Sequence, residues 1–544
     1  PSGEVIAVVG DEQTYKDDLA IVRSEYRLPT EFPPEVQAEV EKLPRDVGPA
    51  EIKGRVDRRG ETVITIDPSD ARDFDDAITV RREKGGRFRV GVFIADVAAY
   101  VKAGSAIDKE ALERGTSVYL PGLVIPMLPE RLSNDLCSLR PRVDRLARGV
   151  WMTVEKDGSL GDIELERSVI CSRHRFTYGE AQTVIEGETL QGVDDDLIEM
   201  IEVANELRGL LRGRREKTGS LNLDLDAQRL VLDDDGEVAE IRVERGDESH
   251  QLVEECMLLA NEAVARVATE RDIPILRRVH PEPSEEDIDE FIAFCQTVIP
   301  SLKLNGAGDL QRAVDAVRGK PEAPVVNFAL LRTLTQATYS AEAGLHFALA
   351  KEEYCHFTSP IRRYPDLQVH RALDARLFKD RMPKAWKAQV DNLEDIAGLC
   401  SRRERQAEEA EREMTKLRVI SWLRRHIGER FTGIVTGVLE YGFFVRLDES
   451  LAEGMVHVRH LGDDYFEYQE RDRSLRGRSS GRVYRLGTRV EVELVRADPV
   501  DRHVDLQVIQ PDSDDEQDRE DSGRRGGQPS GDRRSSRKKR GRRR

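Results

Sequence analysis

The segment TVITIDPSDARDFDDAITV, residues 62–80, constrains this chain more than any other. A β-branched run, Thr62 to Ile66, delivers the backbone to Asp67, and a second apolar run leads away after Asp76. Between the two strands this predicts lies a turn-rich loop, and Asp67, Asp70, Asp73, Asp75 and Asp76 fall within it or at its ends. Carboxylates this dense repel one another, and if several converge a cation must neutralise them. All-oxygen ligation suits a hard ion, Mg²⁺ or Mn²⁺, which usually shares its shell with substrate phosphates. Calcium is a rival, although the turn glycine and the distal glutamate of a calcium loop are missing. A solvated acidic loop is the plain alternative, and spacing alone does not decide among the three.

The rest of the chain sets broad limits. No run of about 18 apolar residues occurs, so no membrane-spanning helix is expected. The opening PSGEVIAVVG lacks the basic start and long apolar stretch of a secretory signal. Cys137, Cys171, Cys256, Cys295, Cys355 and Cys400 are scattered with no C-x-x-C pair, which predicts inert thiols and a cytoplasmic protein. Net charge is −18, yet Gly523–Arg544 holds eleven Lys/Arg and one Asp, so the body is more acidic still. Such a body meets polyanions through focused basic channels or metal ions, not through its average field.

Patterning divides the chain into four parts. Residues 1–50 open on a short β-like run, Gly3 to Val9, followed by an irregular Pro- and Glu-rich stretch read as a linker. Residues 51–425 mix strand-like runs (Thr62–Ile66, Phe88–Ile94) with helical ones (Leu252–Arg271, Phe328–Ala350), predicting one large α+β domain that ends in a long helix. Residues 429–509 alternate apolar and polar, punctuated by Gly and Asp, and predict a small closed β-barrel. Residues 510–544, acidic and then basic, cannot bury a core and are expected to be disordered.

The block TIDPSDARDFDDAI resembles the signature of the ribonuclease R/ribonuclease II catalytic (RNB) domain. The resemblance continues through FIADVAAYV, TSVYLPGLVIPMLPERLSNDLCSL, LVEECMLLAN and HFTSPIRRYPDLQVHR, and closes on an S1-type OB-fold barrel. HFTSPIRRYPDL and RDFDDA lie closer to ribonuclease R. The implied activity is processive 3′→5′ hydrolysis of single-stranded RNA to nucleoside 5′-monophosphates in RNA degradation and quality control. The implied enzyme is a cytoplasmic monomer without membrane association, using two Mg²⁺ ions, with Mn²⁺ as the alternative. GEVIAVVGD resembles the last strand of a second cold-shock barrel, so the resemblance implies cold-shock domains ahead of it.

Carried over by motif, the family pattern makes Asp67, Asp73, Asp75 and Asp76 the metal ligands, with Asp70 outside that set. Arg362 in SPIRR matches the arginine that braces the scissile phosphate, with Arg363 the weaker candidate. Tyr119 and Tyr178 match aromatic residues that stack on bases, and Glu254 and Glu411 match positions near the terminal nucleotides where a 2′-hydroxyl is read. Opposite Tyr119 the family usually carries Phe; GSLNLDL here puts Leu223 in that place, which packs on a base but cannot stack. In the barrel, Tyr441, Phe444 and His457 match the S1 RNA face, and alternation alone leaves Phe443 and Phe444 equal candidates.

Overall fold

The structure, a computed structural model, describes residues 14–223, 225–462, 464–469 and 473–509. The β-like run Gly3 to Val9 and the tail 510–544 lie outside the described residues.

The first nine strands are β1 Val56–Asp57, β2 Ile64–Asp67, β3 Asp76–Glu83, β4 Arg87–Ala95, β5 Val118–Leu120, β6 Leu123–Ile125, β7 Asp144–Val154, β8 Leu160–Cys171 and β9 His174–Thr177. Seven of them form one sheet in the order β1-β8-β7-β4-β3-β2-β9, while β5 and β6 form a separate hairpin. Both faces of the sheet are covered. Ile64, Ile78 and Val90 pack with the helices Asp195–Lys217 and Glu248–Glu270 on one side. Val63, Phe93 and Trp151 pack with residues of the helix Leu393–Arg424 on the other. That double burial explains why β4 and β7 read as nearly continuous apolar runs instead of alternating.

The helix Leu393–Arg424 ties the two large units together. Its 32 residues make a rod of roughly 48 Å. Leu393 and Ile396 sit in the sheet core, Ala410 and Met414 meet the N-terminal helix Tyr15–Glu25, and Val419 to Leu423 enter the core of the barrel. The barrel is closed, with strands Arg430–Leu439, Gly442–Leu447, Glu453–His457, His503–Val508 and Arg489–Asp498 in that order around it. Closure comes from parallel pairing of Met455 with Asp505 and of Val456 with Leu506. The molecule is therefore mixed α and β: an α+β sheet domain followed by a five-stranded OB-type barrel.

The stretch read as an irregular linker instead carries three helices, Tyr15–Glu25, Pro34–Val40 and Pro49–Ile52, joined by irregular segments. Thr14 and Asp17 form a reciprocal capping box, which starts the first helix. Val22 and Leu28 then bury against the long helix, and Asp18 pairs with fully buried Arg418 at 2.8 Å. Pro34 and Pro49 each occupy the first position of a helix, where proline costs it nothing. All six cysteines are free thiols, five of them buried, and among the described residues no helix is long and apolar enough to cross a membrane.

Candidate active site

The aspartate loop is fixed by the sheet that bounds it. Asp67 ends β2 and pairs in parallel register with Thr177 of β9; Asp76 opens β3 opposite Ile94 of β4. Between them the loop is pinned by Ser138, whose hydroxyl accepts the Phe74 amide at 3.0 Å and donates to the Arg72 carbonyl at 2.7 Å. Phe74 is thereby buried, and the acids on either side turn toward one place.

A second segment closes over that place. The loop Ser359–Arg363 crosses the aspartates so that the Ile361 amide donates to Asp75 Oδ1 at 2.9 Å. Asp75 Oδ2 is buried without a hydrogen-bond partner, 3.7 Å from Arg362 Nε. Arg362 keeps 44% of its side chain exposed, held only by a 3.2 Å bond to Ser359 Oγ. Arg363, by contrast, is clasped by Asp366 at 2.7 and 3.0 Å. Of the two arginines, Arg362 is the more exposed and the less engaged.

Electrostatics show how tense the cluster is. Burial, then repulsion from Asp76, pushes the Asp67 carboxyl up to about 8. Burial raises Asp76 to about 6 despite Arg362 and Arg363, and it holds Asp75 well above the carboxylate range. Among the described residues no three acidic, histidine or cysteine side chains already stand close enough to ligate an ion. Yet Asp67 Oδ2 and Asp75 Oδ2 are both buried and unpartnered, a deficit that a hard divalent cation with oxygen preference fits. Asp70 points elsewhere: 76% of its side chain is exposed, and it meets Arg229 at 3.5 Å.

Aromatic side chains flank the acids. Tyr119, on the hairpin β5–β6, donates its hydroxyl to Asp73 Oδ2 at 3.2 Å. Its hairpin is tied to the arginine loop by the Ser117 amide, which donates to the Arg362 carbonyl at 2.9 Å. Tyr178 begins the helix Tyr178–Ile185, and burial, then the nearby charges of Asp76 and Asp67, raises its phenol. It stacks on His250, with ring centroids 3.8 Å apart and planes at 12°. His250 and Arg175, which faces Asp67, carry no motif that sequence reasoning could have used; Ser138 lay inside a matching block but looked ordinary.

The other expected RNA contacts are spread more widely. Glu254 is exposed, one helical turn beyond His250, with Arg215 at 3.6 Å; its neighbour Glu255 is buried against the same arginine at 2.7 Å. Glu411 lines a groove of about 930 Å³ between the long helix and the barrel, whose walls include Phe444, Phe328 and Lys416. Leu223 is half-buried in the apolar cluster of the helices Glu285–Val298, Leu310–Val317 and Ala323–Thr333. Phe443 is fully buried and stacked on Tyr484 at 4.8 Å, while Phe444 faces the groove, which resolves the ambiguity between them. Tyr441 is half-exposed at the adjoining turn. His457 Nδ1 accepts the Arg459 amide at 3.2 Å, so one ring nitrogen caps a turn.

Comparison with known proteins agrees with this architecture. The RNB domain family matches residues 55–379, and the S1 RNA binding domain family matches residues 425–509. Ribonuclease R of Thermotoga maritima is 38% identical over 524 residues, covering 94% of this chain and 73% of that protein. Ribonuclease R of Escherichia coli is 36% identical over 93% of this chain, which spans 64% of its length. The solved structure of Mycoplasma genitalium RNase R in complex with ribose methylated single-stranded RNA superposes with a TM-score of 0.85 at 30% identity, covering 92% of this chain and 79% of that one. Fold and site together define an exoribonuclease, a hydrolase built on an RNB domain and an S1 RNA-binding barrel. The chain belongs to the ribonuclease R family.

Proposed function

We propose that the chain hydrolyses single-stranded RNA processively from the 3′ end, releasing nucleoside 5′-monophosphates. It does so as a cytoplasmic monomer in RNA degradation and quality control. The sheet domain over residues 51–425 performs the reaction and the barrel over 429–509 holds the RNA. The observation that carries this reading is the Asp75–Arg362 arrangement: a buried carboxylate oriented by the Ile361 amide, one oxygen unpartnered, beside a half-exposed arginine whose guanidinium makes one hydrogen bond, to Ser359.

Asp67, Asp73, Asp75 and Asp76 would hold the metal. Bound there, a pair of Mg²⁺ ions, or Mn²⁺, would supply an activated water and charge stabilisation for an in-line displacement. Arg362, half-exposed beside Asp75, offsets the negative charge that builds on the scissile phosphate. Tyr119, bonded to Asp73, presents its ring to the terminal bases, and Tyr178, stacked on His250, meets a base further along the channel. Leu223 would oppose Tyr119 with apolar contact only. Glu254 and Glu411 would accept 2′-hydroxyl donors, which favours RNA over DNA. Upstream nucleotides lie on Tyr441, Phe444 and His457.

Incubating 5′-labelled RNA with Mg²⁺ and resolving the products over time tests the reading. Progressive loss from the 3′ end down to a short limit product is expected. Internal cuts, or stable binding without shortening, would contradict it.

A further inference from the structure

The hairpin formed by Ala227–Leu232 and Val238–Glu244 belongs to neither the sheet core nor the barrel, yet it touches both functional units. One of its faces docks on the barrel: Leu230 and Ile241 pack against the barrel core, and Gln228 Nε2 donates to the Ser450 carbonyl. Its tip is equally constrained. Gly236 has φ +82°, and a Cβ there would come within 2.7 Å of the Tyr15 ring.

The other face carries an arrangement that is costly by itself. Antiparallel register sets Arg229 directly opposite Arg242, so two arginines share this face, 44% and 57% exposed. Like charges directly opposed across a ladder destabilise it. Arg242 is well matched by Glu240 at 2.7 Å. Arg229 has only Glu244 at 3.3 Å and Asp70 at 3.5 Å, the outer limit of a hydrogen bond, and exposed pairs of this kind contribute about 0–1 kcal/mol. Asp70 is the one acid of the aspartate loop that turns away from the buried cluster. The weakly held arginine therefore stands at the edge of the active site, on a hairpin pinned to the RNA-binding barrel.

We propose that Arg229 is a positioning residue for RNA, exchanging Asp70 and Glu244 for a backbone phosphate of the strand that runs from the barrel to the aspartates. The proposal rests on the exoribonuclease reading for its ligand. Asp70 is then a place-holder that neutralises Arg229 when no RNA is bound, which accounts for an acid that belongs to the loop but not to the metal set.

A strut and a place-holder differ in sign. If the pair only braces the hairpin, Arg229→Ala and Asp70→Asn act in the same direction. If Asp70 competes with phosphate, Arg229→Ala weakens RNA binding several-fold while Asp70→Asn tightens it. The measurement is the dissociation constant of a single-stranded oligonucleotide in EDTA, as a function of salt. Arg229→Ala should lower the slope of log Kd against log salt by about 0.7, the value of one phosphate contact on a single strand. Arg229→Lys should keep the slope, and Asp70→Asn should have no effect in the Arg229→Ala background. An unchanged slope in Arg229→Ala, or weaker binding in Asp70→Asn, overturns the proposal. Because binding is read without metal, a failure of nucleotide release with Mg²⁺ would count against the exoribonuclease reading and leave these slopes unaffected.

Discussion

Arg362 Nε stands 3.7 Å from Asp75 Oδ2, too far to be a hydrogen bond and near enough for each charge to stabilise the other. The next arginine in sequence, Arg363, is consumed by Asp366. Substituting the two should therefore have unlike consequences. Arg362→Ala should fold normally and lose about 10²–10³ in kcat, the usual cost of removing one donor to a developing charge. Arg363→Ala leaves Asp366 buried and unpaired, and should lose about 3–5 kcal/mol of stability. Chemical denaturation alongside single-turnover kinetics separates the two outcomes.

The buried acids should make the metal-free protein less stable than its fold allows. Asp67 is pushed up to about 8 by burial and by Asp76, so keeping it charged near neutral pH costs free energy. In EDTA, Asp67→Asn should be more stable than the parent by about 1 kcal/mol or more. Adding Mg²⁺ should raise the melting temperature of the parent and do less for the variant. Equal responses to Mg²⁺ would place the ion elsewhere.

Two buried histidines predict an acid limit. Burial depresses His346 and His370 to about 3, against the ordinary histidine value of 6.5. Below pH 6.5 the unfolded chain takes up protons there that the folded chain refuses, so stability present above that pH is lost progressively down toward pH 3. At pH 5.5 each such histidine should cost about 1.4 kcal/mol. Because the raised Asp67, Asp75 and Asp76 gain stability over the same range, the test compares the parent with His346→Gln: between pH 7.5 and 5.5 the parent should lose more stability than the variant by about that amount, and identical pH dependence would contradict the burial of this ring.

In the barrel, neighbouring phenylalanines should separate stability from binding. Phe443→Ala removes a fully buried ring stacked on Tyr484 and should cost about 3–5 kcal/mol. Phe444→Ala opens onto the groove and should leave the melting temperature nearly unchanged, while weakening RNA binding by about 1–3 kcal/mol.

The acid loop was legible because its pattern is local: strand, carboxylates, strand. The same holds for the alternating barrel and for Arg362, which a short motif identifies. What sequence could not deliver were relationships between distant residues. Ser138 pinning Phe74, His250 stacking on Tyr178 and Ile361 orienting Asp75 join positions 64, 72 and 286 residues apart. The N-terminal stretch misled for a related reason. Its first helix is short and polar and is stabilised chiefly by docking on a helix some 390 residues away, whose apolar stripe gives no sign of which partner it will bury. Leu223, which the family resemblance sets opposite Tyr119, is half-buried against the cluster of three helices, a placement that no local pattern announces.

The central claim, that the buried aspartates hold the metal for RNA hydrolysis, is tested most directly by Asp75→Asn. Asparagine keeps the shape and can still accept the Ile361 amide, so folding and RNA affinity should hold while one charge is lost from the cluster. With 5′-labelled RNA, Mg²⁺ and enzyme in excess, the parent should shorten the substrate stepwise from its 3′ end, and the variant should bind it with similar affinity and release nothing. A variant rate within about tenfold of the parent, roughly 1.4 kcal/mol of barrier, would contradict the account.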